Sequence, residues 1–284
     1  MTRRGHIDES GDIKSLDLIE FNGGVNPYGN DFVSSGFKPG SRRFREIITE
    51  WRFDNLGAVA DVGSGFGRWS VFLAEVNEEV VGIERNSGAN ALAAKICAYF
   101  GLDNARFETC DSGELPIEAN TFDGIWCNNA MQFFHRGKTM QEIHRVLMPG
   151  GKLFLGQYNS IARVLEKFIE GYRKGGLGNA VTRRMIDALK GGPHFDEPGN
   201  YAVPDQIPQV LSRFGFTLVE DPPVEYQMKG GLRYDGENVS ENLKDIPALA
   251  ARLETDKAFA AQFVENPSEI YAYPINVQFL AVKN

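Results

Sequence analysis

Short apolar runs alternate with amphipathic ones along residues 41–156 of this chain. Phe44, Ile47, Ile48 and Trp51 recur at helical spacing, and Pro39-Gly40-Ser41 before them supplies a break and an N-cap, so a first helix is expected to open at Ser41. Ala58 to Val62 is apolar except at Asp61 and reads as a buried strand. Trp69 to Val76 then reads as a helix and Val80 to Glu84 as a second strand ending on a carboxylate. Leu92, Ile96 and Tyr99 mark another helix. A third strand is expected before Asp111, a fourth at Phe122–Cys127, a helix through Met140, Ile143 and Leu147, and a fifth strand at Lys152–Gly156. Strand and helix in alternation predict an α/β fold with a mostly parallel sheet covered by helices on both faces.

Beyond Gly156 the pattern changes. A helix over Ile161–Tyr172 is followed by glycine-rich breaks at Gly175-Gly-Leu-Gly178 and Gly191-Gly-Pro193. Ile207, Val210, Leu211 and Phe214 restore an amphipathic helix, and Phe216–Glu220 reads as strand six. The expected last strand, Ile275–Val282, comes only after about 50 further residues, within which Leu243, Ile246, Leu249, Leu253 and Phe263 suggest helices. The expected organisation is an arm at 1–40, a core at 41–158 resumed at 204–229 and 271–284, and two insertions at 159–203 and 230–270.

The candidate chemistry lies between the first strand and the helix after it. Gly63, Gly65 and Gly67 alternate, and such glycines allow positive φ and close approach of a ligand to the backbone beside a helix N-terminus. In a dinucleotide fingerprint the third glycine would stand one residue later. Glu84, 21 residues after Gly63, can accept hydrogen bonds from both hydroxyls of a ribose.

Asp61-Val-Gly-Ser-Gly-Phe-Gly67, Glu84, Asp111-Ser112 before Leu115-Pro116, Phe122-Asp123 and Arg145-Val-Leu-Met-Pro-Gly-Gly151 occur in the order and spacing of one family, across about 100 residues. In these motifs the chain resembles the class I S-adenosylmethionine-dependent methyltransferases. The resemblance implies a Rossmann-like seven-stranded sheet, with S-adenosyl-L-methionine as cofactor and S-adenosyl-L-homocysteine as product. It assigns Asp61, Gly63, Ser64 and Gly65 to the methionine end, with Asp61 orienting the glycine loop. Glu84 would take the ribose and Arg85 would flank the adenine. Asp111 would meet the adenine amino group, the Ser112 backbone N–H a ring nitrogen, and the Asn128 backbone carbonyl the methionine amino group. The segment from Arg145 to Gly151 reads as architecture, a helix end stopped by Pro149 and two glycines.

Composition narrows the acceptor. The formal charge is −8, from 30 basic and 38 acidic residues, whereas nucleic-acid enzymes usually present a net basic face. No run approaches the ~18 apolar residues of a membrane span, and no apolar leader follows Met1, so a cytoplasmic protein without membrane contact is expected. Three cysteines without C-x-x-C spacing read as reduced core residues. After strand four the chain has Asn128-Asn-Ala-Met131, not the Pro-Pro motif of amino-methylating DNA enzymes, and Cys127 lacks the Pro-Cys context of a cytosine nucleophile. Carboxylates that would hold magnesium are also missing there, so no metal is expected.

A small organic acceptor remains, and seven of nine tyrosines lie beyond residue 157, suited to an organic-ligand site. His135, just after strand four, and His194, in the first insertion, are the candidate bases. The insertions, with the arm near Tyr28, are expected to form a lid; a homodimer contact through either is the alternative. A SAM-binding partner or sensor without catalysis is the competing function.

Overall fold

The computed structural model describes residues 37, 42–158, 160–190, 207–219, 225–228, 233–234, 245–267 and 274–284. Helix α1 (Arg42–Glu50) leads into β1 (Ala58–Val62), α2 (Arg68–Ala74), β2 (Glu79–Ile83), α3 (Ser87–Tyr99), β3 (Ala105–Glu108) and β4 (Phe122–Asn128). Then follow α4 (Arg136–Val146), β5 (Leu147–Tyr158), α5 (Ser160–Gly175), α6 (Ala180–Lys190), α7 (Ile207–Arg213) and β6 (Phe216–Leu218). The chain closes with β7 (Glu225–Met228), β8 (Arg233–Tyr234), α8 (Ile246–Thr255), α9 (Lys257–Glu265) and β9 (Pro274–Lys283).

The strands form one sheet in the order β3-β2-β1-β4-β5-β9-β7-β8, with β6 also on β9. The first five are parallel, and β9 runs antiparallel to β5 from Lys152↔Val282 to Tyr158↔Asn276. On the other flank of β9, β6 pairs with Ala281–Lys283 and β7 with the stretch from Pro274 to Gln278. These two pieces lie end to end as one interrupted sixth strand. The expected seven strand positions are therefore filled, while β8 and the continuation at β7 were not foreseen. At the start of β5 the ladder jumps from Phe122↔Leu147 to Gly124↔Lys152, so Met148–Gly151 bulge out, with Gly150 at φ 74°.

The period-2 alternation of the strands divides two cores between the faces of the sheet. Ala60, Val62, Ile125, Cys127, Leu153 and Leu155 pack with Met140, Ile143 and Val146 of α4 and Leu211 of α7. Val59, Val80, Trp126 and Phe154 turn the other way, onto α1, α2 and α3. There the Trp126 and Phe154 rings stack at 3.6 Å and 7°. Phe37 is fully buried against Phe66, Phe72 and Phe100, which ties the end of the N-terminal arm to this face.

A third core contains no strand residue. Leu165, Phe168 and Ile169 of α5, Ile186 and Leu189 of α6, Leu249 and Leu253 of α8, and Phe259 and Phe263 of α9 pack together. The two sequence insertions thus share one helical core. Asp245 caps α8 through the Ala248 N–H (2.9 Å), and Asp256 both ends α8 and caps α9 through the Phe259 N–H (2.9 Å). The unit joins the sheet at Tyr158 and Pro274, which lie at the same end because β5 and β9 are antiparallel. That end is the carboxyl edge of the parallel strands.

Candidate functional site

At the carboxyl end of β1 the chain turns over the end of β2. The Gly63 and Ser64 N–H groups both donate to the Ile83 carbonyl, at 2.8 and 3.2 Å. Gly63, Gly65 and Gly67 take φ of 78°, 56° and 80°, values that a side chain resists. A Cβ at Gly63 would lie 2.3 Å from Ala130 Cβ and 2.9 Å from Phe134 Cζ, so the loop after β4 closes directly on the glycine turn. Gly67 has a different cause. Its missing Cβ would meet Ala93 of α3 at 2.8 Å, so it serves packing between helices.

Asp61 is almost fully buried beneath this loop and accepts from Ser70 Oγ at 2.6 Å, with a further bond from the Ser70 backbone. It therefore ties β1 to the first turn of α2 and does not line the cavity. Burial, added to by the field of Glu84, pushes its carboxyl from 3.8 up to about 7 against the pull of the Ser70 bonds. The folded state thus holds a proton that the unfolded chain gives up. Stability from this proton is complete below about 3.8 and is lost as pH rises through about 7. Asp61→Asn should remain as stable at pH 8 as at pH 5 relative to other ionisations; melting curves in which wild type and variant shift in parallel over this range would refute the shift.

On the neighbouring strands Glu84 and Asp111 are each held by backbone amides. Glu84 accepts the Asn86 N–H at 2.9 Å, and Asp111 accepts the Gly113 N–H at 2.7 Å. Ser112 is buried, with its hydroxyl 2.9 Å from Thr139 Oγ1 of α4, which leaves its backbone for any ligand contact. Asn128 lies at the end of β4 with its side chain across Gly156, where a Cβ would come within 2.0 Å of Asn128 Oδ1. The side chain is thus turned onto β5.

Gly63, Glu84, Arg85, Asp111, Ser112 and His135 line one cavity of about 250 Å³ at this edge. Of the other expected residues, Asp61 and Ser64 are buried under the loop, Gly65 and Asn128 flank it outside the lining, and His194 lies outside the described residues. A larger groove of about 520 Å³ runs past Asp54, Glu75 and Asn77 at the opposite, amino edge. There Asn77 is consumed in bonds to the Phe53 and Leu73 carbonyls and the Leu56 N–H, so that groove is a surface pleat.

Ile83, Cys110, Phe133 and Phe134 complete the cavity wall and were not anticipated. The available signal was the aromatic pair in Met131-Gln-Phe-Phe-His135, directly after strand four. Phe133 is 65% exposed beside the cavity, an unusual position for so large an apolar ring. Arg136 is fully buried and donates from Nε to the Met131 carbonyl (3.2 Å), pinning the short turn that carries these residues. Its guanidinium is pushed down to about 10 by burial. His135 forms the N-cap position of α4 and is exposed at the cavity wall; no carboxylate orients its imidazole among the described residues. Cys127 is fully buried and its thiol is pushed up by desolvation, which removes it as a nucleophile.

The donor set fits an adenosyl ligand. Two acids on adjacent strand ends match vicinal hydroxyls and an exocyclic amine, and the positive-φ glycines open the backbone beside them. Glu84, Asp111 and Ser112 would hold the nucleoside and the glycine turn the amino-acid end.

Residues 59–151 match the family model described as a methyltransferase domain. Methyltransferase GfsG of Streptomyces halstedii is 29% identical over 65% of this chain and 63% of its own length. The ubiquinone/menaquinone biosynthesis C-methyltransferase UbiE of Cupriavidus metallidurans is 24% identical over 42% of this chain and 47% of its own. The chain thus spans less than two thirds of each of these curated relatives. Among solved structures, the 4+2 cyclase SpnF shares the fold at 17% identity and a TM-score of 0.54, over 87% of this chain and 82% of that one. Among the described residues no helix is long and apolar enough to cross a membrane. With the glycine turn, the paired acids and the 3-2-1-4-5 strand order all present, residues 59–151 are a methyltransferase domain of the class I S-adenosylmethionine-dependent kind.

Proposed function

We propose that this protein moves a methyl group from S-adenosylmethionine to an oxygen, nitrogen or carbon atom of a small organic acceptor. The observation that carries the reading is the convergence of Gly63, Glu84, Asp111 and Ser112 on one cavity at the carboxyl edge of the parallel strands. The UbiE relative is a C-methyltransferase of ubiquinone/menaquinone biosynthesis, which supports an organic acceptor. So do the acidic balance of the chain and the apolar wall of Phe133 and Phe134.

When bound, the cofactor supplies an electrophilic methyl group on a sulfonium, which is displaced in line. The residues of the chain hold and orient. Glu84 accepts from the ribose hydroxyls, and Asp111 with the Ser112 N–H fixes the adenine. Asp61 keeps the glycine turn in place through its bond to Ser70. Phe133 and Phe134 exclude water on the side where an acceptor enters, and His135 takes its proton when the acceptor is an acid of suitable strength. The shared helical core of α5, α6, α8 and α9 is the lid, closing over the same edge as one unit.

Radiolabelled methyl transfer to a metabolite extract tests the activity, and a chain that binds cofactor yet labels nothing would be the sensor instead. In calorimetry Glu84→Ala should weaken S-adenosylhomocysteine binding roughly thirtyfold, about 2 kcal/mol, because two ribose hydroxyls lose a charged acceptor. His135→Gln should lower turnover while leaving that binding intact. Unchanged affinity in a folded Glu84→Ala protein sinks the ribose assignment.

A further inference from the structure

We propose that Asn90 is a positioning residue that sets the distance between the ribose-binding and adenine-binding ends of the site. The inference rests on the cofactor reading above.

Asn90 lies in the first turns of α3 and is 6% exposed. Its Nδ2 donates both to the Glu84 carbonyl (3.1 Å) and to Thr109 Oγ1 (2.8 Å). Glu84 follows directly on β2, and Thr109 follows directly on β3, two residues before Asp111. One amide group therefore clamps the two segments that carry the acids of the cavity. Among the described residues, the last backbone bond between these two segments is the Glu84 N–H to the Glu108 carbonyl at 3.1 Å. Past that point, Asn90 supplies the cross-link.

The clamp carries a cost that packing does not explain. Asn90 Oδ1 is buried and has no hydrogen-bond partner among the described residues. A buried carbonyl oxygen without a donor is destabilising, and an aliphatic side chain of similar volume would avoid it. Neighbouring Ala89, Leu92 and Ala93 are apolar and buried, so the helix accommodates such side chains on this face. What the asparagine adds is the two-pronged donor, and both prongs end on segments of the nucleoside site.

A merely structural Asn90 and a positioning Asn90 separate in a two-residue cycle. S-adenosylhomocysteine is titrated calorimetrically into wild type, Asn90→Leu, Thr109→Val and the double variant, well below each melting temperature. Thr109 is exposed, so its exchange leaves the core untouched. The expected result is a loss of at least tenfold for Asn90→Leu, with the apo melting temperature within a few degrees of wild type, and a smaller loss for Thr109→Val. The double variant should bind no worse than Asn90→Leu, because both substitutions break the same clamp. Turnover at saturating cofactor should stay within about twofold, since the reacting end is elsewhere. Affinity of Asn90→Leu equal to wild type, or losses that multiply in the double variant, would overturn the inference and leave the cofactor reading intact. Should Asn90→Leu fail to fold, Thr109→Val alone decides, and wild-type affinity in it overturns the clamp. A wild-type protein that binds no S-adenosylhomocysteine overturns the cofactor reading and this inference with it.

Discussion

Gly63→Ala is expected to abolish measurable cofactor binding and to lower stability by about 2–4 kcal/mol, the sum of a left-handed φ for an L-residue and overpacking. The overlap is specific, because the new Cβ would stand 2.3 Å from Ala130 Cβ and 2.9 Å from Phe134 Cζ, at φ 78°. Relief requires the glycine turn and the loop after β4 to separate, and both are walls of the cavity. Gly150→Ala is the control. Its φ is 74°, but no atom lies within 4 Å of the added methyl, so it should cost only about 1 kcal/mol of backbone strain and leave binding unchanged. Melting curves and calorimetry on the two variants settle the matter. Equal affinity in both would show that the glycine turn is not the cofactor's seat.

The second large effect is expected far from the cavity. Phe263→Ala removes a fully buried ring from the helical core, where it meets Phe168 edge-on at 6.0 Å and Phe259 at 6.1 Å. Deleting such a ring costs about 3–5 kcal/mol. No strand residue belongs to this core, so the loss should fall on the lid as a local unfolding. S-adenosylhomocysteine should still bind, methyl transfer should fall at least a hundredfold, and proteolysis at Gly175–Gly178 should accelerate. The lid reading also requires that S-adenosylhomocysteine slow this cleavage in wild type. Full turnover in a protein whose helical unit is cut or melted would end the lid proposal.

The sequence by itself determined the parallel half of the sheet and the seats of its acids. In β1, β2 and β4 the information is local, since alternation chooses the face and the glycines choose the turn. Asp61 was legible as an orienting group only through the family resemblance; its donor, Ser70, nine residues on in the first turn of α2, is a contact that the fold supplies. Tertiary structure alone decided the rest. Phe168 and Phe263 share a core although the sheet edge separates them in sequence, so no periodicity could join the two insertions. The pairing of β7 and β8 depends on register with β9, which does not show in hydropathy. The cavity wall of Phe133 and Phe134 exists because Arg136 anchors its turn locally and Gly63, distant along the chain, lets it close. Local pattern sets which way a side chain faces, but only packing across the sheet sets what it meets.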